Sequence, residues 1–194
     1  DPVAAKVRRY DRTGAVIQNF RNADALANPL AIVAGTGSAK LFIADALQSH
    51  IIGLDELGTV TTLIGADPGA PLPIQRIDDL AAGPDGLYVL DKLTHQIHAL
   101  SSGGTYRMAF GAEDLSAPIA VAADGYGRVY VADNLDSKIK VFEDGRLVGS
   151  GGGPGAAPGR FKQIFDLSVD GELLYVADAA GARIEIMHIE PPCL

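Results

Sequence analysis

The sequence predicts an all-β fold: a β-propeller of four-stranded antiparallel blades, with incomplete blades at both termini. Three observations predict it. One short motif, an apolar or aromatic pair followed by Ala or Leu and then Asp, occurs four times, as Phe42-Ile43-Ala44-Asp45, Tyr88-Val89-Leu90-Asp91, Tyr130-Val131-Ala132-Asp133 and Tyr175-Val176-Ala177-Asp178. Its aspartates lie 46, 42 and 45 positions apart, the period of a propeller blade. Each period holds four short β-type runs separated by Gly, Pro, Asn and Asp turns, with no capped amphipathic helix between them. Only the Ala-rich piece near Ala23 to Ala27 suggests a single helical turn.

The elements follow in order within the clearest copy. Ile119–Ala122 is a first apolar strand, Gly125-Tyr126-Gly127 a turn, and Arg128–Ala132 a second strand. Lys138–Phe142 alternates polar and apolar, as a half-buried third strand should. Asp144-Gly145 makes a hairpin turn, and Arg146-Leu147-Val148 runs out as a weaker outer strand. Asp85-Gly86 and Asp170-Gly171 are turn formers of the same kind. The chain thus divides into a half-blade over 1–20, blades over about 24–65, 72–111 and 115–148, and a partial blade over 160–190, in a single propeller or partial propeller spanning 1–194. Asp1, followed by Lys6–Tyr10, marks the same register at the start, 44 positions before Asp45. Because the opening piece lacks two inner strands and the closing piece supplies three, simple ring closure fails. The expectation is an upstream segment, or another chain, that completes the ring; an open arc would leave sheet edges exposed.

Composition bounds the function. At 194 residues and 47% hydrophobic the chain can build a core, and 23 glycines fit many tight turns. The net charge is -8, and the densest basic stretch is only Lys6-Val7-Arg8-Arg9, so a phosphate backbone or an anionic membrane is not the expected partner. No apolar run is long enough to span a bilayer. The lone Cys193 cannot form an internal disulfide.

With those residues in view, the repeat resembles the NHL-repeat β-propellers. The match runs through Ser116–Val121, Gly127–Asn134 and Lys138–Phe142, with Asn28-Pro29-Leu30-Ala31-Ile32 echoing the proline segment. Gly149, Gly155, Gly159 and Phe161 look like the family's glycine-rich blade linker, and that run lacks the Gly-Lys-Ser/Thr ending and following helix of a phosphate loop. The second copy departs, with Ile77-Asp78-Asp79-Leu80 in place of the proline. The resemblance implies a loop face around an axial funnel, and the helix-free, cysteine-poor blades look like bacterial, extracytoplasmic members, in the periplasm or outside the cell.

Residue by residue, the candidates favour structure over chemistry. An Asp at a strand end can accept backbone N–H groups and fix the turn, so Asp45, Asp91, Asp133 and Asp178 are expected as turn caps. His50, His95, His98 and His188 show no zinc spacing, Ser101, Ser102 and Ser116 sit in no nucleophile elbow, and Tyr88, Tyr130, Tyr175 and Phe42 suit inter-blade packing. No catalytic set is expected, and the metal assignment is open. The leading functional expectation is a non-catalytic binding or scaffold module that recognises a protein or glycan through a loop face. The alternatives are a metal-dependent propeller enzyme of the lyase or lactonase kind, with Ca or Zn in the central channel, and an assembly subunit completed by another chain. No cofactor is predicted outside the first of these alternatives.

Overall fold

A computed structural model describes residues 7–20, 26–35, 39–47, 49–65 and 72–191. Asp1, residues 23–25 of the Ala-rich piece and Cys193 lie outside the described residues. The described residues form seventeen strands in five antiparallel sheets, and no helix. Chain contacts divide them into two units, residues 1–77 and 78–194.

The first unit opens with a two-stranded sheet, β1 (Val7–Tyr10) and β2 (Val16–Phe20). A four-stranded blade follows, in the order β3 (Pro29–Ala34), β4 (Leu41–Asp45), β5 (His50–Leu54) and β6 (Val60–Ile64). Its core gathers Leu26, Ile43, Ile52 and Leu54, with Val7 and Leu41 packed against it.

The second unit holds two four-stranded blades and one three-stranded sheet. The first is β7 (Asp79–Gly83), β8 (Gly86–Asp91), β9 (Gln96–Leu100) and β10 (Tyr106–Phe110). The second is β11 (Pro118–Ala123), β12 (Val129–Asp133), β13 (Lys138–Glu143) and β14 (Arg146–Gly152). The last is β15 (Ile164–Asp170), β16 (Leu173–Asp178) and β17 (Arg183–His188). Inner strand β11 lies between inner strands β7 and β15. This is the blade architecture expected from the period.

The apolar motif of the second strand is explained by burial on both faces. Val129 and Val131 of β12 join Ala81, Tyr88, Leu90 and Phe142 in the seam toward the preceding blade. Tyr130 and Ala132, pointing the other way, join Ile164, Leu167, Leu174 and Val176 in the seam toward the following sheet. Alternate residues of a strand face opposite sides, so a strand packed on both sides reads as an unbroken apolar run.

Turn chemistry accounts for the hairpins. Asp144 and Gly145 both have positive φ, at 48° and 74°, the two-residue turn whose twist matches the flanking strands. The third-to-fourth connections at Asp11, Asp55 and Ser101 share another design. In each, that residue's side chain accepts the N–H four positions on, and Gly14, Gly58 and Gly104 supply the left-handed residue.

Two expectations need correction. The outer strand of the 115–148 blade continues to Gly152, so Gly149 lies in β14, opposite Val141, and is not a linker residue. Glycines are tolerated there because β14 is an exposed edge with little side-chain packing to lose. The linker itself, holding Gly155, Gly159 and the fully buried Phe161, is not loose. Gly153 and Phe161 pair their backbones, and the Arg183 guanidinium donates to the carbonyls of Ala156, Ala157 and Arg160. Lys140, read as the polar side of an alternating strand, is buried, for an electrostatic reason given below.

Each second-to-third connection contains a left-handed non-glycine residue four positions after its aspartate: Ser49, His95, Ser137 and Ala182, with φ between 52° and 56°. That conformation costs an L-residue about 1 kcal/mol or more, part of which glycine returns as chain entropy. Ala182→Gly is expected to raise stability, by about 1 kcal/mol or less, in urea unfolding monitored by circular dichroism. A lower midpoint would show that the methyl group contributes packing there.

Candidate functional site

One end of every blade is organised by the recurrent aspartate. Asp45 accepts the N–H groups of Ala27 and Asn28, in the segment leading into the inner strand, and of Leu47 in its own turn. Asp133 does the same with Ser116 and Ala117 on one side and Leu135 on the other. Asp178 takes Lys162 and Gln163, then Gly181. Asp91 binds Leu93 and Thr94 of its turn. In that blade the leading segment supplies a carboxylate of its own, since Asp78 accepts the N–H of Lys92 from the turn. The proline-free departure at Ile77-Asp78-Asp79 therefore ties the same two segments together from the opposite side.

All four aspartates are buried, and a basic side chain lies close to Asp91, Asp133 and Asp178. Lys140 Nζ lies 2.8 Å from Asp133 and also donates to the Asp114 carbonyl. Arg183 Nε lies 3.2 Å from Asp178. Burial opposes the charge on Asp133, but Lys140 and three backbone N–H groups outweigh it and hold the carboxyl below its ordinary value. Asp178 is likewise lowered: backbone N–H groups and Arg183 overcome desolvation. His98 takes the place of Lys140 in the preceding blade, with Nε2 3.7 Å from Asp91 and Nδ1 3.5 Å from the Tyr106 hydroxyl. Burial lowers the His98 pKa against the pull of Asp91, so the imidazole is neutral at neutral pH.

The turns that these carboxylates hold present apolar side chains to water. Leu47, Leu93 and Leu135, each two positions after its aspartate, are 73%, 61% and 72% exposed. Their own N–H groups are bound by the carboxylates, so their backbone is held in place. At the same end of the sheets, β-bulges open the inner strands at Leu30 and Phe165, opposite Asp45 and Asp178, and both side chains are exposed. A bulge re-aims a side chain out of the pleat.

The inner strands of the second unit carry a further pair of acids. Asp79 of β7 accepts Leu80 N–H and, across the seam, the N–H of Val121 in β11 at 2.8 Å. Asp166 of β15 accepts Leu167 N–H in the same local pattern. Burial pushes Asp79 up to about 6; the N–H groups of Val121 and Leu80 counter it, while the Asp166 charge adds to it. At the other end of the β12 blade, Asp124 accepts from the Arg128 guanidinium at 2.6 Å and the Tyr130 hydroxyl at 2.9 Å. Of the remaining histidines, His50 is buried in β5, His95 is one of the left-handed turn residues, and His188 is exposed, 3.2 Å from Glu172. Tyr88 and Tyr130 lie in the two seams of the second unit and Phe42 is buried in its blade, whereas Tyr175 is half-buried. Among the described residues no three His, Cys, Asp or Glu side chains group as metal ligands, and no helix is long and apolar enough to cross a membrane.

Comparison with known proteins places this architecture. No protein-family model and no curated protein matches the chain. Solved structures do, and they are β-propellers. A virginiamycin B lyase from Staphylococcus aureus, with quinupristin, matches with a TM-score of 0.68 at 14% identity, over 97% of this chain and 64% of that one. A nidogen/laminin complex matches with a TM-score of 0.62 at 14% identity, over 96% and 87%. A BBS1N–ARL6DN complex matches with a TM-score of 0.66 at 11% identity, over 98% and 56%. The chain thus spans about two thirds of the length of the lyase, and the neighbours include both an enzyme and proteins held in complexes. At these identities the likeness establishes the propeller fold alone.

Two predictions follow from the carboxylates. Asp133→Ala leaves the Lys140 ammonium buried without its partner and frees three N–H groups, at a cost of about 3 kcal/mol or more, measurable by chemical denaturation. A loss within about 0.5 kcal/mol would mean that water replaces the carboxylate. For Asp79, the folded pKa of about 6 lies above the unfolded value, so stability is gained as pH falls through 6 and the charge is a cost at neutral pH. Asp79→Asn should therefore stabilise the protein at pH 8 and flatten its stability profile between pH 4 and 6. A destabilised variant at pH 8 would assign the charged carboxylate a supporting role.

Proposed function

We propose that this chain is a protein-binding propeller module whose contact surface is the loop end of the second unit, carrying Leu93 and Leu135. The observation that supports it is the repetition of a large apolar side chain, in water, at one place in three consecutive blades, on turns whose backbone is already ordered. A scattered exposed leucine needs no explanation. One repeated at a fixed offset, with Leu30 and Phe165 exposed at the same end of their sheets, is the composition of an interaction surface. Ordering the backbone beforehand lowers the entropy cost of docking. Leucine knobs fit an apolar patch on a protein better than a glycan. The resemblance of the repeat to NHL propellers agrees with a binding role, by fold analogy.

A second reading, a propeller enzyme that binds a divalent cation, draws on Asp79 and Asp166, two carboxylates on inner strands that flank β11 and feel each other's charge. Titration calorimetry with calcium and zinc on the wild type and on Asp166→Asn separates the two readings. A stoichiometric heat lost in the variant would favour the enzyme.

The binding reading is tested by placing a photo-crosslinking amino acid at Leu93 or Leu135, and at Met108 as a control, in protein exposed to extract of its source. One and the same partner should be captured at both leucines and not at Met108. Leu93→Ser with Leu135→Ser should then weaken its binding at least tenfold while stability changes by less than about 0.5 kcal/mol. Equal labelling at all three sites would overturn the proposal.

A further inference from the structure

The first unit contains a strand that the repeat itself identifies as unfinished. β1 ends in a turn of the same design as those after β5 and β9: the N–H groups of Asp11, Asp55 and Ser101 each donate to the carbonyl four positions on, and their own carbonyls accept from the glycine three positions on. Tyr10 therefore stands where Leu54 and Leu100 stand, and Arg8 where Ile52 and His98 stand. The alignment of Lys6–Tyr10 with Lys138–Phe142 adds Phe142 and Lys140 to those positions. In the three complete blades this third strand lies between a second and a fourth strand, and Leu54, Leu100 and Phe142 are 1%, 1% and 0% exposed. In β1 the only paired neighbour among the described residues is β2, the outer strand, and Tyr10 is 51% exposed.

Along β1 runs a cleft of about 560 Å³, walled by all four of its residues and by Ile32, Lys40, Leu41, Asp55 and Glu56. Its apolar side chains, Val7, Tyr10, Ile32 and Leu41, and its strand edge are the two things an added β-strand needs: pockets for alternate side chains and main-chain partners. A third feature is charge. At the Arg8 position the complete blades of the second unit hold a base directed at the aspartate that ends the neighbouring second strand: Lys140 at 2.8 Å from Asp133 and His98 at 3.7 Å from Asp91. Arg8 carries no ion pair among the described residues.

We infer that the cleft beside β1 receives an extended strand of the second-strand type, alternately packed apolar residues ending in an aspartate, from a separate polypeptide, with that carboxylate meeting Arg8. The strands that fill this place in the complete blades show the chemistry required: Leu-Phe-Ile-Ala-Asp in β4, Leu-Tyr-Val-Leu-Asp in β8 and Val-Tyr-Val-Ala-Asp in β12. The cleft shares no residue with the leucine-bearing turns, so either proposal can fail without the other.

The test uses the 194-residue chain and a labelled heptapeptide with the sequence of Gly127–Asp133. Fluorescence anisotropy should show saturable binding. A peptide with Asn as its last residue, or the Arg8→Glu variant with the original peptide, should bind about tenfold more weakly. A peptide ending in Lys should regain affinity for that variant. Hydrogen–deuterium exchange should show protection of the β1 amides when the peptide is added. Arg8 is exposed, so the variant's fold is checked directly by circular dichroism. Equal binding of a scrambled peptide, or binding without protection of β1, would overturn the inference. So would a chain that dimerises with β1 protected in the absence of peptide, which would assign the cleft to a second copy.

Discussion

A carboxylate shut away from solvent ends the second strand in four sheets of this protein, and the backbone around it is arranged to satisfy that charge. At Asp45, Asp133 and Asp178 one side chain gathers N–H groups from two segments far apart in sequence, the approach to the inner strand and the turn into the third. The two segments share one backbone bond, from Ala46 to Asn28, Asn134 to Ala117 and Ala179 to Gln163, and the carboxylate takes N–H groups which that bond leaves over, since an unmet N–H is costly. The carboxylate therefore determines where the inner strand begins and how the turn is shaped. The turn shape in turn holds Leu47, Leu93 and Leu135 out in water.

The same charge explains residues that look out of place. A lysine in a blade core is expensive unless it is paired and hydrogen-bonded, and Lys140 meets both conditions through Asp133 and the Asp114 carbonyl. Arg183 does related work for Asp178 while gathering the carbonyls of the glycine-rich connection. The connection is thus ordered by the next sheet's cation. Asp79, in contrast, has backbone donors but no ion pair among the described residues, and burial, with the Asp166 charge, raises its pKa against them and the more distant Lys92.

How much of this was legible in the sequence depends on the distance over which each signal acts. The strands and the recurring aspartate could be found because a blade is a local unit, repeated at a nearly fixed period. The turns at Asp144-Gly145 could be found because their chemistry is contained in two residues. Lys140 could not, because alternation along β13 makes it a solvent residue until the aspartate beside it is known. Asp79 needed the neighbouring inner strand, and Gly149 the partner Val141. The exposed leucines were within reach: Asp-Ala-Leu, Asp-Lys-Leu and Asp-Asn-Leu stand at one offset in three copies, and an apolar residue repeated inside a polar turn was the signal to follow.

The basic partner of the aspartate differs from blade to blade: a neutral histidine, a lysine, and an arginine reaching in from two positions earlier. Repeats this similar in shape invite mispairing, in which a strand from one blade is accepted into another during folding. A histidine that stays uncharged cannot replace an ammonium opposite a buried carboxylate, and an ammonium in the histidine's place would displace the Tyr106 contact. The side chains beside the aspartates thus act as labels of identity, penalising the shuffled arrangements that the repeat's own symmetry would otherwise permit.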